Sequence, residues 1–173
     1  MKFTWSYSSL GLFQLCPKKY YHMRIVKDIK EPETPAILYG KEVHLALEEY
    51  VRDGKPIPSQ FSQFQNVADM LKGIPGDKYC EYKMGLTKNL EACEFFDADV
   101  WFRGVADLLI VNKDMARVID YKTGKSSEYA DIKQLELMAL AVFKHFPKVR
   151  YVKAGLVFLV CEDFVKAEFA RKD

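Results

Sequence analysis

Two runs of strand-forming residues, Phe102 to Val111 and Met115 to Tyr121, each carry one carboxylate in a mostly apolar stretch: Asp107 in the first and Asp120 in the second. The surrounding pattern predicts the other elements. Residues from about 7 to 23 read as a helix, followed by the charged, proline-bearing stretch Glu31-Pro32-Glu33-Thr34-Pro35. A helix from Gly40 to about Arg52 ends at Asp53-Gly54-Lys55-Pro56, and another from Ser59 to Leu71 is stopped by Gly73-Ile74-Pro75-Gly76. Strands are predicted near 78–87, 99–111 and 115–122. Ile132, Leu135, Ala139, Val142 and Phe146 recur at core spacing, which predicts a helix over 128–146 closed by Pro147. Strands near 150–160 and 164–169 complete an α/β (α+β) chain: an αβββαβ core with a central mixed sheet flanked by helices, behind a helical N-terminal extension. The whole of 1–173 reads as one domain, mostly helical over 1–75, with the sheet and its helix over 76–173.

The acidic interruptions decide the chemistry. A carboxylate inside a sheet is costly unless something positive pairs with it. Lys122 stands two positions after Asp120, on the same strand face. Asn112-Lys113-Asp114 supplies turn residues for a hairpin between the two runs. With Lys113-Asp114 as a two-residue loop, Asp107 falls directly opposite Asp120; a three-residue loop would offset the pair. Cβ atoms of such a pair lie about 4.5–5.5 Å apart, where bare carboxylates repel and a shared Mg²⁺ or Mn²⁺ would hold them.

The composition narrows the classes. At 173 residues and 49% hydrophobic, the chain can bury a core without staples. No apolar run approaches the length of a membrane span, and Met1-Lys2-Phe3-Thr4-Trp5-Ser6 lacks a signal-peptide core. Cys16, Cys80, Cys93 and Cys161 show no C-x-x-C spacing and read as reduced thiols, so a cytoplasmic location is expected. A net charge of +2 is not that of a generic nucleic-acid binder. DNA affinity would have to come from local groups such as Lys18, Lys19 and Arg24, or Lys144, Lys148, Arg150 and Lys153, most of which read equally as solvated surface. Gly124-Lys125-Ser126 is similar to the end of a phosphate-binding loop, but that loop needs a glycine where Ile119 stands, which excludes it.

The Asp107…Asp120-x-Lys122 pattern resembles the PD-(D/E)XK nucleases, and more closely their RecB-like branch. Three further segments resemble that branch in the same order. Ser6-Tyr7-Ser8-Ser9-Leu10 with Phe13 and Cys16-Pro17-Lys18-Lys19-Tyr20-Tyr21 is similar to its opening helix, and Gly40-Lys41-Glu42-Val43-His44 to its Gly-x-x-x-His helix. Gln134-Leu135-Glu136-Leu137-Met138-Ala139 is similar to its glutamine motif. The resemblance implies a restriction-endonuclease-like fold. It implies that Asp107 binds metal, that Asp120 bridges metal and scissile phosphate, and that Lys122 polarises the attacking water and offsets charge in the transition state.

His44 lies on an amphipathic helix with Val43, Leu47, Tyr50 and Val51, where such a residue is usually core-edge; the resemblance makes it a metal ligand. The Ile119 backbone carbonyl would face the metal. Glu81 stands where the branch has a strand glutamate, although alternation could equally turn it to solvent. Glu48 orients His44 or is solvated. Gln134 would orient the lysine or contact DNA. The branch's tyrosine four residues on is Met138 here, with Tyr129 as a substitute. Arg103 contacts a phosphate or points outward. Cys16 matches the iron–sulfur members, but the three clustered cysteines beyond the glutamine motif are missing, so no iron–sulfur cluster is expected.

The expected activity is thus a Mg²⁺- or Mn²⁺-dependent deoxyribonuclease. It would act as an exonuclease on linear single- or double-stranded DNA ends, in recombination, repair or phage DNA processing, leaving a 5′-phosphate. Its partners would be DNA and either further copies of itself or a recombination or repair protein, with no membrane. The alternatives are an inactive or partner-dependent DNA-binding module of the same fold, and a structure-specific endonuclease.

Overall fold

A computed structural model describes residues 3–128 and 130–172. Its helices are α1 (Tyr7–Leu15), α2 (Pro17–Tyr20), α3 (Pro35–Asp53), α4 (Gln65–Gly73) and α5 (Ile132–His145). A π-helical turn follows α2 (Tyr21–Val26), and a 3₁₀ turn precedes α4 (Ser59–Phe64). The strands are β1 (Asp77–Leu86), β2 (Ala92–Cys93), β3 (Phe102–Asn112), β4 (Met115–Lys122), β5 (Tyr151–Phe158) and β6 (Asp163–Ala170). Among the described residues they form one six-stranded sheet in the order β2-β1-β3-β4-β5-β6. Of these six strands, β4 and β5 are the pair that runs in parallel, and α5 connects them. This is the restriction-endonuclease-like arrangement expected from the sequence.

Both faces of the sheet are covered. On one, Leu135, Met138, Ala139 and Val142 of α5 pack on Phe102, Ala106, Leu109 and Val118. On the other, Val43 and Leu47 of α3, with Phe61, Phe64 and Leu71, pack on Leu108, Ile110, Ile119 and Tyr121. Double coverage is why the central strands read as near-continuous apolar runs.

Several boundaries differ from expectation for local reasons. The helix over 7–23 breaks at Cys16, which takes φ −158° and ψ 99° because Pro17 disfavours a helical residue before it. Pro17 then opens α2, with the Cys16 Sγ accepting from the Lys19 N–H. Helix α3 starts at Pro35 rather than Gly40: Thr34 caps it and Pro35 takes the first-turn position, so residues read as a break are a start signal. Asp131 caps α5 and delays its start to Ile132, which is exposed instead of core. Strand β3 begins at Phe102, because residues 97–100 form a turn closed by the Val100 N–H on the Asp97 carbonyl, and the short β2 was not foreseen.

Candidate active site

The hairpin forms with the two-residue loop: Asn112 pairs with Met115, and Lys113 takes φ 58°. The β3–β4 ladder ends at Leu108↔Ile119, one step short of the two aspartates. On the other side of β3, pairing with β1 skips from Cys80↔Leu108 to Tyr82↔Ala106. Asp107 is therefore released from both neighbours. The skipped residue opposite it is Glu81, held in left-handed backbone at φ 50°, which costs a non-glycine residue about 1 kcal/mol. Both strands change face here. Tyr79 and Tyr82 share the α5 side, as do Ala106 and Leu109, a spacing of three where strand alternation gives two. The change of face opens a notch in the packed sheet that holds the Glu81 and Asp107 carboxylates together.

Helix α3 lies over this notch. His44 Nδ1 stands 3.5 Å from Asp107 Oδ2, and the His44 ring packs edge-on against Tyr121. One ligand atom each from His44, Glu81 and Asp107 lies within 4.8 Å of the others. Asp107 Oδ2 also accepts from the Tyr121 N–H at 2.6 Å. Gly40, one turn before His44, lets α3 approach the chain after Lys122, because a Cβ there would sit 3.1 Å from Thr123 Oγ1. A groove of about 550 Å³ runs past Gly40, His44, Glu48, Glu81 and Thr123.

Asp120 reaches the notch from the α5 side. Gln134 Nε2 donates to its Oδ1 at 2.6 Å, and Lys122 Nζ lies 2.6 Å from Oδ2. Lys122 is thus the polar partner of the buried Oδ2. Burial pushes the Asp120 carboxyl above its ordinary value, Lys122 opposes this, and the Asp107 charge adds to it. Burial and the neighbouring Asp107 likewise raise Glu81. Burial alone would lower the His44 pKa, but Asp107, Asp120 and Glu81 outweigh it and the pKa rises. A carboxylate-rich site in which His44, Glu81 and Asp120 hold protons more tightly than usual lacks positive charge.

A hard divalent cation fits these residues. An imidazole nitrogen and carboxylate oxygens are the donors that Mg²⁺ and Mn²⁺ accept, and the buried Asp120 carboxylate interacts electrostatically with Asp107 and His44.

Of the residues singled out from the sequence, the structure brings His44, Glu81, Asp107, Asp120, Lys122 and Gln134 together. The Ile119 side chain is buried among the α3-side residues, while the backbone that touches Asp107 belongs to Tyr121. Tyr121 and Thr123 were missed; the signal for Thr123 was adjacency to Lys122, whereas Tyr121 acts through its backbone N–H. Glu48 pairs with Arg52. Arg103 donates through Nε to the Phe95 carbonyl at 2.6 Å. Met138 is buried beneath Gly104, and Tyr129 lies outside the described residues. The suggested basic patches are partly neutralised: Lys19 pairs with Glu31, and Lys153 with Glu168.

Comparison with known proteins gives the same direction. The family described as "PD-(D/E)XK nuclease superfamily" matches residues 4–79 and 77–171. No curated protein matches the chain. A solved structure described as "Crystal structure of SSO0001" is 14% identical over 77% of each chain, with a TM-score of 0.31. No helix among the described residues is long and apolar enough to cross a membrane.

Proposed function

The chain belongs to the PD-(D/E)XK nuclease superfamily, and on that premise we propose that it is a Mg²⁺- or Mn²⁺-dependent deoxyribonuclease acting as an exonuclease on linear DNA. The observation that carries this reading is the His44–Glu81–Asp107 donor cluster, with the buried Asp120 carboxylate held near it by Gln134 and Lys122. His44, Asp107, Asp120 and Glu81 would hold the ion. Its chemistry there would be Lewis-acid stabilisation of the phosphate and a lowered pKa for the attacking water.

The remaining work falls to the chain. Gln134 holds one oxygen of Asp120, and the other carries the Lys122 contact. The Tyr121 N–H fixes Asp107 in the same way. Lys122, a third exposed and in contact with Asp120, carries an ammonium that can hold the water and offset charge building on the phosphate. The open groove beside α3 gives a phosphodiester room to reach these groups. The exonuclease assignment and its setting in recombination, repair or phage DNA processing rest on the resemblance of the ordered motifs to stand-alone end-processing nucleases.

The test is cleavage of end-labelled linear and covalently closed circular DNA with Mg²⁺, Mn²⁺ or EDTA. Metal-dependent loss of the linear form alone is the expected result. Nicking of the circle would replace the exonuclease by an endonuclease. No cleavage of either would leave a DNA-binding module.

A further inference from the structure

Beyond Lys122 the chain leaves the sheet, and the N-terminal segment takes the vacated slot beside β3. The Trp5 N–H donates to the Trp101 carbonyl at 3.0 Å, and the Arg103 N–H donates to the Trp5 carbonyl at 2.8 Å. Phe102 pairs with Leu86 of β1 on one edge and with Trp5 on the other. Arg103 lies four positions along the same strand from Asp107, which at strand rise is about 13 Å.

A groove of about 680 Å³ opens there, lined among others by Phe3, Trp5, Ser6, Arg24, Lys27 and Arg103. No acidic side chain lines it. Several lysines elsewhere have carboxylate partners, for example Lys41 with Glu33 and Lys55 with Glu49. Arg24 and Lys27 have no ion-pair partner among the described residues and are exposed. Exposed aromatic rings accompany these cations. Phe3 is 51% exposed in the groove and Phe96 is 76% exposed at its Arg103 end. The Arg103 guanidinium lies 5.2 Å from the Phe95 and Phe96 rings, with Lys83 Nζ 6.0 Å from Phe96.

We infer that this groove binds single-stranded DNA, its bases stacking on Phe3 and Phe96 and its phosphates held by Arg24, Lys27 and Arg103, and that it guides the strand to the metal site. Unpaired cations interleaved with exposed aromatic rings bind single strands without reading sequence. A duplex keeps its base faces stacked inside and has none to offer Phe3 or Phe96. The inference rests on the nuclease reading for the direction of the strand, and on the groove's own chemistry for the binding.

The test is fluorescence anisotropy of an unstructured oligothymidylate and of a blunt duplex of equal length, both in EDTA so that nothing is cut. Wild-type protein is expected to bind the single strand more tightly. The double variant Arg24→Ala/Lys27→Ala is expected to bind about tenfold more weakly and to lower the salt slope by about 1.4, two phosphate contacts at the single-strand value. Phe96→Ala, at an exposed position, should weaken binding about tenfold with an unchanged salt slope. Unaltered melting temperatures establish that both variants are folded. Equal affinity for duplex, no binding of the single strand, or variants that bind like wild type overturn the groove. Intact oligothymidylate binding without metal-dependent cleavage would remove the nuclease reading and keep the groove; cleavage with binding indifferent to all three substitutions would do the reverse.

Discussion

The backbone N–H of Tyr121 donates to the Asp107 carboxylate at 2.6 Å, just past the point where β3 and β4 stop pairing. A side chain here replaces a ladder partner, so Asp107 has two jobs: it satisfies the N–H of a residue only 3% exposed, and it presents charge to the His44–Glu81 cluster. The two jobs are separable. Asp107→Ala orphans the N–H and is expected to cost about 1–3 kcal/mol in urea unfolding. Asp107→Asn keeps an acceptor and is expected to stay near wild-type stability while losing cleavage. Equal stability of the two variants would contradict this role.

The metal-free site favours protons. His44, Glu81 and Asp120 all have folded values above their ordinary 6.5, 4.5 and 3.8. Over the window from about pH 4 to somewhat above 6.5 the folded chain therefore binds more protons than the unfolded one. Their stabilisation is present at the acid end of that window and is lost as pH rises through the raised values. Asp131 and Asp163 are lowered, and their contribution is lost only below about pH 4, outside the window. In EDTA the protein is expected to melt higher at about pH 6 than at about pH 7.5, and Mn²⁺ should raise the melting temperature more at the higher pH, where protons compete less. The opposite order in either comparison would contradict the electrostatics described.

Gly40 holds α3 against the segment that follows Lys122. In Gly40→Ala the new Cβ meets Thr123 Oγ1 at 3.1 Å, while helix propensity gains about 1 kcal/mol. Stability is expected to change little and kcat to fall, because Thr123 must shift beside Lys122, the lysine proposed to act on the attacking water. Gly40→Ala/Thr123→Ala removes the contact and should recover most of the rate. A double variant as slow as the single one would show that the close approach is not what Gly40 provides.

Met138 occupies the position where the resembling branch has a tyrosine. Its Sδ lies 3.0 Å from where a Gly104 Cβ would stand, and the residue is 5% exposed. Met138→Tyr is expected to overpack this contact and destabilise by about 1–3 kcal/mol in thermal or urea unfolding without raising activity. A tyrosine variant that is stable and faster would contradict this placement of Met138 in the core.

Five of the six strands and a hairpin joining the Asp107 and Asp120 runs were legible, with the loop length open between two and three residues, because apolar runs interrupted by single carboxylates leave few ways to satisfy the charge. The facing of the pair was not. Simple alternation puts Asp107 opposite Asp120 in a continuous ladder, whereas the structure parts the strands there, and only a non-local contact, Glu81 in left-handed backbone across β1, marks the slip. Helix starts were misplaced where a cap outweighed periodicity, as at Thr34 and Asp131. Tyr121 was invisible because its part is played by a backbone N–H, which any residue there would supply. The Phe3–Arg24–Arg103 groove joins residues about eighty to a hundred positions apart, which no local pattern connects.

The most direct measurement is Mn²⁺-dependent cleavage of linear DNA by Asp120→Asn beside wild type, with both shown to be folded by thermal melting. The variant keeps an acceptor for Gln134 and removes only the charge. If Asp120 lies at the metal and the scissile phosphate, cleavage should fall at least about a hundredfold while the fold persists. Cleavage within a few-fold of wild type would contradict the site described.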